Sequence, residues 1–127
     1  MKGAVKGLGI DIVDIKEFKG IVGGKTSKSF IDGTFTKAEF AYAVSIIKPF
    51  CPLNLAAVFA AKEATYKAFG TGWLGGKDVE VTHKKSGAPQ IALRGEIQKI
   101  AKKRKIDEVL VSLSYTDNNA VAVALLV

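Results

Sequence analysis

PLNLAAVFAAKEATYKAFG, residues 52–70, is the stretch whose reading decides the fold. Its proline suits the first turn of a helix and its closing glycine the position just past the last turn, so the spacing predicts one long helix from Pro52 to Gly70. Apolar and small residues cover most of the circumference, which implies burial on more than one side. This is the expected central helix of the molecule.

Upstream, residues 4–13 (AVKGLGIDIV) become almost continuously apolar after Lys6, the pattern of a buried strand, interrupted by one acid, Asp11. Ile15, Phe18 and Val22 then recur at helical spacing, with Asp14 placed to cap the helix and Gly23-Gly24 to stop it. Thr36-Lys37-Ala38-Glu39 has the form of a capping box and predicts a second helix running to about Ile47, before Pro49. Downstream, Val79 to His83 and Gln90 to Leu93 read as a hairpin around the turn 84–89, and Gly95 to Lys105 as a basic surface helix with Ile97, Ile100 and Ala101 turned inward. Val109 to Tyr115 and Ala120 to Val127 form a last hairpin around Thr116-Asp117-Asn118-Asn119. The order β, α, α, α, β, β, α, β, β defines an α+β fold, with the long helix packed on an antiparallel sheet.

A chain of 127 residues, 48% hydrophobic and 24% charged, has room for one sizeable core, so a single domain over 1–127 is expected. No stretch reaches the roughly 20 apolar residues that cross a bilayer, and the start MKGAVKGLGI lacks the apolar core of a signal peptide. The cytoplasm is the expected compartment, without a membrane partner. One cysteine, Cys51, and one histidine, His83, exclude an internal disulfide and a Cys/His zinc site, and both are read as structural. Nineteen Lys and Arg against 12 Asp and Glu leave a net charge of +7, which favours anionic partners.

Three residues stand out chemically. Asp11 lies inside an apolar run, where a carboxylate costs several kcal/mol unless it is paired, hydrogen-bonded or metal-bound, although an acid at a strand end can also cap a turn. Glu63 occupies the most apolar part of the central helix, with Lys67 one turn on. By themselves Glu63 and Lys67 make an ordinary i,i+4 pair. With Asp11 they make two carboxylates and an ammonium, the set that a magnesium-bound pyrophosphate requires. Gly70-Thr71-Gly72-Trp73-Leu74-Gly75 matches G-x-G-x-x-G formally, but it closes a helix where a dinucleotide fingerprint opens one, so helix termination and close backbone approach to a ligand are its better uses.

Gly7-Leu8-Gly9-Ile10-Asp11-Ile12-Val13, then Phe59-Ala60-Ala61-Lys62-Glu63-Ala64 with Lys67-Ala68-Phe69-Gly70-Thr71-Gly72, then Ser112-Leu113-Ser114 before Ala120-Val121-Ala122, resemble the holo-acyl-carrier-protein synthases, the small class of 4′-phosphopantetheinyl transferases. The resemblance spans essentially the whole chain in order. It implies a 4′-phosphopantetheinyl transferase-like α+β fold and transfer of phosphopantetheine from coenzyme A to a serine of an acidic acyl carrier protein. Adenosine 3′,5′-bisphosphate would be released, and Mg²⁺ would bridge the pyrophosphate. By motif match, Asp11 and Glu63 are the implied metal ligands and, with Lys67, the catalytic set. Lys67, Gly70, Thr71, Gly72, Pro89, Tyr115 and Thr116 are the implied coenzyme A contacts. Members of this class resemble one another in being homotrimers with sites at subunit interfaces. The carrier is expected on Lys16, Lys19 and Lys25, in or just after the first helix.

The chain departs from the family pattern at Val58, where many members carry Arg, at Tyr115 and Asn119, where His and Tyr are common, and at Ala88, where Lys is frequent. These changes bear on substrate affinity more than on reaction type. Two other readings stand beside the transferase. One is a basic module binding nucleic acid through Lys99, Lys102, Lys103, Arg104 and Lys105, although no aromatics interleave that run and no nucleic-acid partner is expected. The other is a coenzyme A-binding relative without transfer activity.

Overall fold

The computed structural model describes residues 4–22, 27–46 and 52–127. Strand β1 (Gly7–Asp14) leads into α1 (Ile15–Val22), followed by α2 (Ser27–Thr34), α3 (Lys37–Ile46) and the long α4 (Pro52–Phe69). A 3₁₀ turn (Gly76–Asp78) precedes the hairpin β2 (Val79–His83) and β3 (Pro89–Leu93); α5 (Gly95–Lys103) and the hairpin β4 (Val109–Tyr115) and β5 (Asn119–Leu126) complete the chain. Among the described residues one antiparallel sheet has the order β1-β5-β4, and β2-β3 forms a separate two-stranded ribbon.

The local signals operate as their chemistry requires. The Glu17 amide donates to Asp14 Oδ1 at 2.9 Å, capping α1. The capping box closes reciprocally, with Thr36 N–H donating to Glu39 Oε1 and Glu39 N–H to Thr36 Oγ1. Gly70 ends α4 at φ +73, its amide shared between the Tyr66 and Lys67 carbonyls. The 116–119 turn closes by Thr116 N–H donating to the Asn119 carbonyl. Gly23-Gly24, Lys25, Ile47, Pro49 and Cys51 lie outside the described residues.

Helix α4 lies on the sheet with unusually small spacers. From β5 it meets Ala120, Ala122 and Ala124, all fully buried, and it answers with Ala57, Ala60, Ala61, Ala64 and Ala68. From β1 it meets Gly7 and Gly9. A Cβ on Gly9 would overlap the Ala64 carbonyl oxygen and the Ala68 amide, and one on Gly7 would overlap the Ala68 carbonyl. The main chains of β1 and α4 therefore touch.

Two expectations need correction. Helix α2 has no counterpart in the sequence reading. It is short and carries no acid in its first turn, and it is held by tertiary contact, with the Phe30 ring 6.1 Å from that of Phe18 and 5.8 Å from that of Phe59. The second concerns β1, which is covered on one face only. Gly9 and Asp11 face α4, whereas Leu8, Ile10 and Ile12 are 64%, 59% and 64% exposed. Leu110 of β4 is exposed as well, and the half-buried Val121, Val123 and Leu125 of β5 complete an apolar outer sheet face.

Candidate active site

Strand pairing and helix packing bring together residues that are 56 positions apart. Asp11 points from β1 toward α4, where Lys67 Nζ meets its Oδ1 at 2.9 Å. The Asp11 side chain is 13% exposed, and that of Lys67 is 53% exposed. Lys67 is thus paired with Asp11 and not, as the i,i+4 spacing suggested, with Glu63. Asp11, Glu63 and Lys67 line one open cavity of about 300 Å³ with Val13, Phe18 and Phe59. Asp14 and Glu17 also reach its wall. Sequence reasoning treated Asp14 only as a helix cap and passed over Glu17; their spacing from Asp11 along the β1–α1 junction was the available signal.

Burial raises the Glu63 carboxyl above the usual carboxylate range and the nearby Asp11 charge raises it further, against the opposing pull of Lys67. The hydrogen bond to Asp11 raises the Lys67 ammonium in turn. Two carboxylates side by side, one of them reluctant to ionise, form a pocket short of positive charge. Their donor chemistry suits Mg²⁺, which takes one or two protein carboxylates and completes its shell with water and phosphate. Among the described residues no group of three or more His, Cys, Asp or Glu offers a richer ligand set.

This electrostatics has a sign that can be checked. A carboxyl raised in the folded state binds its proton more tightly there than in the unfolded chain, whose Glu titrates near about 4.3. In chelator, stability should therefore fall as pH rises from that value through the raised Glu63 value, then level off. Glu63→Gln should lack this decline, so its melting temperature should exceed that of the wild type at neutral pH and converge with it in acid. Parallel melting curves across the range would show that Glu63 carries no burial penalty.

Beyond Lys67 the chain turns through Gly70, Thr71 and Gly72, with Gly72 also at positive φ (+74). Tyr66 fixes this loop. Its hydroxyl donates to the Gly75 carbonyl and accepts from the Gly75 amide, while Trp73 packs against Phe59 and Tyr66. Among the described residues the exposed Gly72 amide has no intramolecular acceptor.

Pro89 and Tyr115 lie elsewhere. They line a second cavity of about 530 Å³ with Tyr42, Val58, His83 and Ala88. The Tyr42 and His83 rings stack in its wall at 3.8 Å and 9°, and burial lowers the His83 imidazole. Thr116 stands at the adjacent turn, its hydroxyl accepting from the Asn118 and Asn119 amides. Asp11 and Leu113 both pair with Ala122, from opposite sides of β5. The two cavities are therefore on opposite edges of the sheet, about 10 Å apart at the strands. One chain assembles Asp11, Glu63 and Lys67, and it does not bring Pro89 and Tyr115 to them.

Residues 7–124 match the family model of the 4′-phosphopantetheinyl transferase superfamily, and the chain belongs to this superfamily. The holo-acyl-carrier-protein synthase of Caldicellulosiruptor saccharolyticus is 39% identical over 119 residues, covering 93% of each chain. Within the superfamily the chain belongs with the holo-acyl-carrier-protein synthases. Its fold agrees. The holo-acyl-carrier-protein synthase from Neisseria meningitidis superposes with a TM-score of 0.86 at 28% identity, covering 98% of this chain and 99% of that one. The Bacillus anthracis enzyme in complex with CoA (3′,5′-ADP) superposes with a TM-score of 0.76 at 27% identity, over 96% of each chain.

Proposed function

We propose that this chain, acting as one unit over residues 1–127, transfers 4′-phosphopantetheine from coenzyme A to a serine hydroxyl of an apo acyl carrier protein with Mg²⁺. The observation that carries the reading is the convergence of Asp11, Glu63 and Lys67 on one open cavity from two separate elements. In the reaction, the serine hydroxyl gives up its proton to a cavity carboxylate or to solvent as its oxygen forms a bond to the phosphorus bearing pantetheine. The bond from that phosphorus to the bridging oxygen breaks, and adenosine 3′,5′-bisphosphate leaves.

Asp11 and Glu63 would hold the cation, which when bound neutralises diphosphate charge and polarises the phosphorus under attack. Lys67, with half of its side chain in solvent, can turn its remaining N–H bonds to a phosphate oxygen while keeping Asp11 oriented. The Gly70–Gly72 loop, with its exposed Gly72 amide, suits a phosphate that approaches the main chain closely. The nucleophile belongs to the carrier, so the absence of a Ser-His or Cys-His pair from the sequence reading is no obstacle. Catalysis is positioning and charge stabilisation.

The same reading extends to partners. An acidic carrier would meet the exposed Lys16 and Lys19 of α1, which border a shallow cavity with Asp117 and Asn118. Asp14 lines both this cavity and the carboxylate cavity, so a carrier bound to α1 would stand next to the reacting groups. The apolar outer sheet face is the kind of surface that subunits cover in closed symmetric oligomers, which supports a homotrimer. In such a trimer the Pro89–Tyr115 cavity of one copy could complete the coenzyme A site at the Asp11–Lys67 cavity of the next. No helix among the described residues is long and apolar enough to cross a membrane; we place the enzyme in the cytoplasm, where coenzyme A and carrier meet.

The test is intact-mass spectrometry of apo acyl carrier proteins incubated with the enzyme, coenzyme A and Mg²⁺. A mass gain of one phosphopantetheine, abolished by chelator, is expected. Unmodified carriers alongside intact coenzyme A would overturn the reading.

A further inference from the structure

In the basic run at residues 99–105 the exposed Arg104 lays its guanidinium against the end of α4. Arg104 Nη1 donates to the Phe69 carbonyl at 2.9 Å, Nη2 reaches the Lys6 carbonyl at 3.4 Å, and the guanidinium carbon lies 5.6 Å from the centre of the Phe69 ring. Phe69 is the last residue of α4, and its carbonyl carbon is bonded directly to the nitrogen of Gly70. The guanidinium therefore sits one peptide bond from the Gly70–Gly72 loop and also ties the chain just before β1 to the end of α4.

The electrostatics at this point is unfavourable to an anion. The C-terminus of a helix carries roughly half a negative charge on its unsatisfied carbonyls, and a phosphate brought there is repelled. Lys67, in the same last turn, shares its charge with Asp11 and so offsets only part of this pole. Resting on the proposed placement of coenzyme A phosphate at Gly70–Gly72, we infer that Arg104 is a positioning residue that neutralises the negative pole of α4 beneath this loop and so lets it accept an anion. The guanidinium needs no contact with the substrate to do this. It works through the Phe69 carbonyl and through the charge it places there. Arg104 is correspondingly withdrawn from any nucleic-acid patch.

Calorimetric titration of coenzyme A into the full-length enzyme at low and high salt, with thermal melts alongside, tests the inference. Arg104→Gln should weaken binding about two- to fivefold at low salt, the fold-change equivalent of a charge at a helix terminus. The difference should shrink near 1 M salt, where the Debye length falls to about 3 Å. Arg104→Lys keeps the charge but loses the planar fork, so it should recover most of the affinity. A lower melting temperature for Arg104→Gln with wild-type affinity would overturn the inference and leave Arg104 a helix cap only. Thr71→Glu, which puts a like charge into the loop, separates this from the underlying reading. If Thr71→Glu weakens binding while Arg104→Gln does not, only the role of Arg104 fails; if both bind as wild type, coenzyme A phosphate does not use this loop.

Discussion

Alanine at Asp11 or at Glu63 should slow carrier modification by about 10²–10³-fold, the scale on which removing one preorganised electrostatic partner of a transition state acts. The chain should nevertheless stay folded. Asp11 contributes one ion pair whose lysine is half in solvent, worth at most about 1 kcal/mol, and Glu63 carries a burial penalty that alanine removes. Initial rates by intact-mass spectrometry at saturating Mg²⁺, alongside melting curves, separate chemistry from folding. Near-normal turnover in both variants would dissolve the metal assignment, and loss of turnover with loss of fold would move these residues from chemistry to structure.

The largest effect on stability should come from the residue next to Glu63. Lys62 is fully buried, and its ammonium meets Glu39 Oε1 at 2.7 Å, the Gly76 carbonyl at 2.7 Å and the Val79 carbonyl at 2.6 Å. Glu39, equally buried, accepts from the Thr36 amide through Oε1 and from the Val81 amide through Oε2. Burial pushes the Lys62 ammonium below its ordinary range against the pull of Glu39, so the pair persists because each member is also held by main chain. Lys62→Met strands the Glu39 charge and should cost about 3–5 kcal/mol, read as a lower denaturation midpoint. Lys62→Met/Glu39→Gln should regain part of that loss, since a neutral amide still accepts a hydrogen bond. If the double variant is no more stable than the single one, the cost comes from the Gly76 and Val79 carbonyls left without their donor and not from the stranded charge.

Much of this molecule was legible beforehand where the signal is local. Asp14, the Thr36–Glu39 box, Gly70 and the two hairpin turns act within four residues of themselves, and the structure realises each of them. The core of α4 was legible for a similar reason, as its composition fixes burial whatever lies opposite. Features that depend on a distant surface were harder. Leu8, Ile10 and Ile12 alternate with Gly9 and Asp11, and a strand apolar on both faces reads as buried on both, although one chain covers only one face. Helix α2 is fixed by Phe18 and Phe59, which its own eight residues cannot announce. The partner of Lys67 lies 56 positions away, so spacing selected Glu63 and topology selected Asp11. Lys62 was the missed signal. A lysine in the most apolar turn of a central helix demands a buried partner as strongly as Glu63 demands a cation.

The contact of Gly7 and Gly9 with the α4 main chain bears on how freely this enzyme can be rebuilt. With no side chain between strand and helix, the spacing of the two main chains that carry Asp11 and Glu63 is set by direct backbone contact. A two-residue slip of β1 would put Asp11 in the place of Gly9, against Ala64 and Ala68, or Val5 in the place of Gly7, against Ala68, so the register is locked mechanically. Residues 7–13 and 60–72 thus behave as a jig, a rigid fixture that could be transplanted as a unit. The exposed 84–88 turn lies on the separate ribbon, outside that fixture.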